Sequence, residues 1–474
     1  MRKQMMTVAV VMALVLGLAG MAMAETLTGN HALGDVLNFT DDGDGVHSIT
    51  RNGSTFWWAD PDGNGLADTT AASAGLNMNS SNITRQDSDL GITLNLDHTG
   101  DGSLGGSITN GGSILTDAPG WNDYVGVVTI TNAADINVDM IDTSSQNKTP
   151  VGGLTVSHTG NLTTNSIVND ETYYAQNPVS FNGNQHGTAV SNIFNAGTIS
   201  SRGLGSYSVS AAGDVTIQNY HSVQVTGAMS PGGDDTRTYG IVANGIGRNP
   251  DAGTVQITNI GAGGVSVPSG INTGNSSASS SWSSQFGDIE IHTAGPVVLG
   301  HLFTGSAISS SDNGGNVTVT GASIVVTGDI VMQDTNTTGG NGGILDLTAT
   351  AGTILIGVEG SATPEIDLKL LDYATFDATG NTMIYGLIRA EDGFAADGVT
   401  TGSHQIGTGL QAPTGQFVYY NPTVNPDLLV GSPDGTYILT GGGTLAAFVQ
   451  PPVPEPAGLG LLGLAALGLK RRRS

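Results

Sequence analysis

Between residues 125 and 356 the chain alternates apolar and polar side chains over short runs. Val128-Thr129-Ile130-Thr131, Leu154-Thr155-Val156-Ser157, Val215-Thr216-Ile217-Gln218 and Val317-Thr318-Val319-Thr320 all repeat with period two. That period sends successive side chains to opposite faces, so each run predicts a short strand with one apolar and one polar side. Glycine precedes many of them, often with Asp or Asn next, as in Gly213-Asp214, Gly287-Asp288 and Gly315-Asn316. At these points glycine is expected to permit a tight turn. Second short strands follow several of the first, for example Val297-Val298-Leu299 and Ile354-Leu355-Ile356. No long amphipathic helical pattern appears between residues 25 and 440.

The spacing of these units carries more than any one of them. Gly287 to Gly315 and Gly315 to Gly343 are both steps of 28 residues, Gly253 to Gly287 is 34, and Gly213 to Gly253 is 40. A near-constant short step, lengthened by insertions, is the mark of a solenoid with one coil per repeat. No coil can bury its own apolar face, but stacked coils bury a continuous core. The reading is an all-β fold whose body is a right-handed parallel β-helix. A pair of β-sandwich domains is the alternative, and it calls for turns every ~8–12 residues. Asn132, Asn219 and Asn259 stand at strand ends, where they serve as turn residues or as rungs of a bonded ladder, the turn being favoured for most. Residues 274–284, rich in Ser, and 230–249 read as insertions, and 169–186 as a longer loop or an edge strand. The organisation expected is an N-terminal β cap over 25–115, repeats over 116–360, and a C-terminal β cap and linker over 361–450. Leu370, Leu371, Tyr373 and Phe376 supply apolar mass to that second cap, and prolines 413, 422, 426, 433, 451 and 452 mark the linker.

Composition narrows the functional classes. Thirty-nine acidic residues against eight basic ones between positions 25 and 452 give that stretch a net charge of −31. Such a surface repels nucleic acid and anionic lipid. The chain has no cysteine, so its stability must come from packing, backbone hydrogen bonds or metal rather than from disulfides.

Candidate chemistry is sparse. Asp60-Pro61-Asp62-Gly63-Asn64-Gly65-Leu66-Ala67-Asp68 places Asp60, Asp62, Asn64 and Asp68 at the first, third, fifth and ninth positions of a calcium loop, with glycine at the sixth. Oxygen donors at that spacing suit a hard cation. Ala71 stands at the twelfth position, where a bidentate acid would close the site, so a shorter calcium turn or a plain turn remains. Asp41-Asp42-Gly43-Asp44-Gly45 is a weaker version of the same pattern. An enzyme acting on acidic polysaccharide, a lyase or hydrolase built on a β-helix, would need clustered acids, a histidine and a basic pair. The chain offers Asp234-Asp235, Gln185-His186-Gly187, Arg237 and Arg248, each read as a loop residue. Phe56-Trp57-Trp58 reads as an apolar strand of the N-terminal cap before it reads as a sugar-stacking platform. No two of the nine histidines have the spacing of a helical zinc pair.

The two ends say where the chain goes. Arg2 and Lys3, an apolar stretch from Val8 to Leu18, and Ala22-Met23-Ala24 before Glu25 form a secretory signal peptide over 1–24, with cleavage set by Ala22 and Ala24. The other end reads Val453-Pro454-Glu455-Pro456-Ala457, an uncharged run from Gly458 to Leu469, then Lys470-Arg471-Arg472-Arg473. The prolines keep the motif extended. The apolar run is expected as a single short transmembrane helix, its basic end acting as a cytoplasmic stop. At ~20 Å it falls short of a hydrocarbon core of ~30 Å.

Residues 451–474 resemble the PEP-CTERM sorting signal of Gram-negative bacteria, in the order, spacing and position of these three parts. The resemblance implies recognition and cleavage by an exosortase, transient anchoring in the inner membrane, and delivery to the cell surface or beyond. It also implies a host that makes exopolysaccharide, a candidate partner. It covers only the tail and says nothing of the body. The expectation for the whole is an exported surface or matrix protein with a structural or adhesive role, against the polysaccharide lyase or hydrolase as alternative. Calcium is the one cofactor expected.

Overall fold

The computed structural model describes, with breaks, residues 107–357, and outside that stretch mainly the backbone of strand segments between 25 and 95 and between 365 and 445. The described residues form strands and connections, with no helix among them. Nearly all strand pairing is parallel, and it runs from each coil to the next. A parallel β-solenoid is therefore the architecture, and parallel pairing at this spacing excludes two β-sandwiches.

Each coil contributes to three faces. The first is a thirteen-stranded sheet; the second and third belong to one sheet of twenty-one strands, bent at the corner between them. On the first face Leu154 aligns with Val179, then Val215, Val255, Ile289 and Val317. All six are shielded from solvent. The polar residues between them, such as Thr155 and Thr216, point outward. The second face stacks Leu162, Phe194, Val223, Val265 and Val297, and the third stacks Ile199, Ile241, Ile271, Leu302 and Ile330. Burying one Val, Leu or Ile side chain stabilises by ~1.5–3 kcal/mol, so this unbroken interior supplies the main favourable term.

Glycine before the first-face strand has a different reason from the one expected. Gly253, Gly287, Gly315 and Gly343 are not in the left-handed region that a tight turn would demand. They stack on one another instead. A Cβ on Gly287 would lie 2.0 Å from the Gly253 carbonyl oxygen, one on Gly315 2.2 Å from that of Gly287, and one on Gly343 2.1 Å from that of Gly315. The residue after the glycine completes the seam. Asp214 Oδ1 accepts the Thr254 N–H at 2.8 Å, Asp288 Oδ1 that of Asn316 at 2.7 Å, and Asn316 Oδ1 that of Ile344 at 2.9 Å. The recurring Gly-Asp pair is thus an inter-coil joint.

The asparagines do both things considered for them. Asn132, Asn219 and Asn259 have φ of 59°, 64° and 55°, a conformation that Asn tolerates better than other side chains. Two of them also join a ladder: Asn219 Nδ2 donates to Asn182 Oδ1 at 2.9 Å, and Asn259 Nδ2 donates to Asn219 Oδ1. Within the 169–186 region, Val179–Asn182 is neither loop nor edge. It is an internal rung, paired on both sides, with Phe181 fully buried. Phe56 and Trp57 fall on the strand Ser54–Trp57, antiparallel to Ser48–Arg51. Most of 274–284 lies outside the described residues. That insertion leaves and re-enters at a clamp, where Thr273 Oγ1 donates to the Gly287 carbonyl at 2.7 Å and the Gly287 N–H donates back to the Thr273 carbonyl at 3.0 Å.

One polar pair sits inside the core. His158 Nε2 and the Tyr220 hydroxyl are 2.7 Å apart, both fully buried, walled by Phe194 against Tyr220 and by Phe181 against Phe194. Burial lowers the His158 pKa to about 4, against the opposing pull of the Ala134 backbone and Asp135. Burial also pushes the Tyr220 phenol up, which keeps it neutral.

Two predictions follow from this interior. Gly287→Ala is expected to lower stability by about 1–3 kcal/mol in denaturant unfolding, whereas Thr155→Ser on the outer face stays within ~0.5 kcal/mol. Equal midpoints for the two would remove the glycine seam from the account. The second concerns pH: His158 is held neutral when folded, so its contribution is whole above pH 6.5 and falls away as pH drops towards about 4. The loss approaches ~3 kcal/mol by linkage. His158→Gln should flatten that part of the stability–pH curve.

Candidate functional site

A long corner insertion lies between the second-face strand Ser222–Val225 and the third-face strand Ile241–Val242. It folds as a hairpin. Met229 and Tyr239 exchange backbone hydrogen bonds of 2.8 and 2.9 Å. The hairpin lies along the outside of the third face, where Val242, Asn272, Phe303 and Val331 follow one another outward on successive coils. Tyr239, Val242, Phe303 and Val331 form a small apolar cluster of their own, with Met229 packed against it.

Charged groups pin the hairpin at both ends. At one end Asp170 binds Arg202 through Nε at 3.0 Å and Nη2 at 2.6 Å, and also accepts from Ser200 Oγ and from the Arg202 N–H. Arg202 Nη1 then reaches the Ser230 carbonyl at 3.4 Å. The Asn244 amide holds the Pro231 carbonyl at 3.2 Å. At the other end Arg237 bridges two carboxylates, Asp235 at 3.3 Å through Nη1 and Asp329 at 3.0 Å through Nε. Its guanidinium also lies 5.9 Å from the centre of the Phe303 ring.

Asp235 is the buried member, its side chain only 2% exposed. Four donors meet it: the Arg237 N–H, Arg237 Nη1, the Tyr239 hydroxyl at 2.7 Å and the Asn272 amide at 3.4 Å. Burial, reinforced by Asp235, holds the Tyr239 phenol protonated far beyond its usual range. His301 completes the group. Its Nδ1 accepts the Asp329 N–H at 2.9 Å, and its ring meets Tyr239 edge-on with centroids 6.0 Å apart. Burial lowers its pKa; Asp329 pulls the other way.

Asp235 and Arg237, read as loop residues in an enzyme's inventory, are therefore part of a built ionic cluster. Tyr239, His301 and Asp329 were not anticipated, since 62 and 90 residues separate His301 and Asp329 from Tyr239 in sequence. The available signal was scarcity: with so few basic residues, an arginine beside an aspartate in an insertion is worth following. The chemistry of the cluster is that of a clamp. Both carboxylates and the guanidinium spend their hydrogen bonds on one another and on the protein. Asp234, Gln185, His186 and Arg248 lie outside the described residues.

The remaining candidate sites also lie outside them: Asp60, Asp62, Asn64 and Asp68; Ala22, Ala24 and the cleavage point before Glu25; and the whole tail from Val453 through Arg473. Among the described residues no three His, Asp or Glu side chains converge as a metal site would require, and no helix is long and apolar enough to cross a membrane.

Replacing Arg237 by Ala leaves Asp235 as an uncompensated buried charge, which costs about 3 kcal/mol. Adding Asp235→Asn should recover much of that loss in a double-mutant cycle. An additive cycle would show that the two side chains do not act as a pair.

Comparison with known proteins finds one match. Residues 452–474 fit the family model of the PEP-CTERM protein-sorting motif. No curated protein and no solved structure matches the chain.

Proposed function

With a PEP-CTERM sorting motif at its C-terminus and a parallel β-solenoid as its body, we propose that this chain is an exported structural or adhesive component of the cell surface or extracellular matrix. The motif implies exosortase-dependent sorting to the surface, with a membrane-anchored signal as the intermediate state. In this reading Val453-Pro454-Glu455-Pro456-Ala457 is the recognition and cleavage segment. Lys470, Arg471, Arg472 and Arg473 hold the apolar run in the inner membrane until the exosortase acts. The signal peptide ending at Ala24 opens the route, and exopolysaccharide is the partner met outside. Calcium held by Asp60, Asp62, Asn64 and Asp68 is part of the same proposal, for a chain with no disulfide to brace it.

The observation that carries the proposal is the sorting motif on a body whose outward strand positions are polar side chains repeated from coil to coil. Thr129, Thr155, Ser180 and Thr216 stand in one outward column, and Ser157, Asn182 and Gln218 beside it. The polysaccharide lyase or hydrolase finds less support. A sugar-acid cleft needs free cationic groups, and Arg202 and Arg237 are engaged with Asp170, Asp235 and Asp329.

Removing residues 453–474 is expected to leave the chain inside the envelope, by immunolabelling of whole cells and assay of the medium. Unchanged surface display would contradict the proposal. Incubation of the purified body with acidic polysaccharides should give no unsaturated or reducing ends; their appearance would replace the structural reading with the enzymatic one. A chelator should lower the melting midpoint of the calcium-loaded protein, and no shift would remove calcium from the proposal.

A further inference from the structure

We propose that the 226–240 hairpin is an acid-released strap, latched by Arg237 and triggered through His301, whose opening uncovers an apolar strip along the flank of the rod. Three observations carry it, and none depends on the sorting tail.

First, the hairpin ties together coils that are not neighbours. Arg202 holds it on the coil of Ile199, and Asp329 holds it on the coil of Ile330. Those coils are four rungs apart, through Ile241, Ile271 and Leu302, which is ~19 Å along the axis at the usual strand spacing. Its own backbone joins only adjacent coils, through Gly227 to Gly197 at 2.7 Å and Gly240 to Gly270 at 2.9 Å. The long reach is made by side chains.

Second, what lies beneath is apolar but for Asn272, which binds Asp235. Val242, Phe303 and Val331 face outward, yet Val242 belongs to the buried cluster with Tyr239, and Phe303 and Val331 are only 3% and 7% exposed. On a chain of net charge −26, an apolar flank is the face that associates once it is uncovered.

Third, the trigger is seated with a ring nitrogen as hydrogen-bond acceptor, a role that the neutral form fills. His301 Nδ1 is the acceptor of the Asp329 N–H. A proton on that nitrogen sets two N–H groups against each other. Gly328 passes beside the ring, where a Cβ would lie 2.7 Å from the same nitrogen. The backbone that would shift carries Asp329, the anchor of Arg237. The charged and titratable groups facing His301 are Asp329 on its own flank and Asp235, Arg237 and Tyr239 on the hairpin. The strapped state favours the neutral ring, so the latch is whole above pH 6.5 and loosens as pH falls below it.

The test is limited proteolysis of the full exported chain from pH 7.5 to 5, with cuts mapped by mass spectrometry and a hydrophobic dye read in parallel. Far-UV circular dichroism confirms that the solenoid persists. Cuts within 226–240 and dye signal should rise together as pH falls, by up to about tenfold per pH unit, the ceiling for one linked proton. His301→Gln, which keeps a neutral side chain, should lose that acid response. Arg237→Met should be cut and bind dye already at pH 7.5, and Arg237→Lys should restore part of the protection. The proposal is overturned if the wild-type hairpin is equally resistant at pH 5 and 7.5. It is also overturned if His301→Gln responds to acid as the wild type does, or if Arg237→Met with a native spectrum is as resistant as the wild type.

Discussion

From the coil of Gly213 to that of Gly343, successive backbones pass so close at the entry to the first face that no side chain can stand between them. Gly253, Gly287, Gly315 and Gly343 meet that condition at the entry to the first face, each with the carbonyl of the coil before it where a Cβ would be. There that contact accompanies the register in which Val255, Ile289, Val317 and Leu345 stack inside, and it brings the following Asp or Asn within reach of the next coil's N–H. Insertions between the joints, such as 226–240 within the 40-residue step from Gly213 to Gly253, then leave the stack undisturbed.

Much of this was legible in the sequence, because period-two strands and a 28-residue step survive as one-dimensional patterns. The reason for the glycines was not. A turn and a backbone contact leave the same glycine in the sequence, and only φ and the neighbouring carbonyl separate them. Asn219 and Asn259 were legible as turn residues, while the ladder through Asn182 needed the register. Val179–Asn182 was misjudged for a related reason. Its flanks are long and irregular, so its place in the interior of the sheet appears only when Leu154 and Val215 are found on either side. The Asp235–Arg237–Asp329 clamp was illegible because 92 residues lie between Arg237 and Asp329, and nothing local marks partners separated by three coils.

The body and its tail pose different problems and solve them separately. The tail is an address readable from a few residues, and the family model finds it there. In the proposed role the body persists outside the cell with no cysteine and few cations. Among the described residues it does so by repetition: an apolar interior shared from coil to coil, polar joints at the glycine seam, and the external 226–240 hairpin. A solenoid is well suited to this, since each coil is stabilised by its neighbours. The price is sensitivity where the repetition is broken, at the buried His158–Tyr220 pair and at the strap, and both of those breaks contain a histidine held neutral.

The central claim is that the exported body is this stack of in-register coils. The absence of native cysteine allows spin labels to be placed at will, and Thr155 and Thr318 stand in one outward column, separated by Ser180, Thr216, Gln256 and Glu290. Pulsed electron–electron double resonance on Thr155→Cys/Thr318→Cys protein recovered from outside the cell measures that separation directly. Five rungs predict a single narrow distribution near ~24 Å. A broad distribution, or a peak well away from that distance, would contradict the stack.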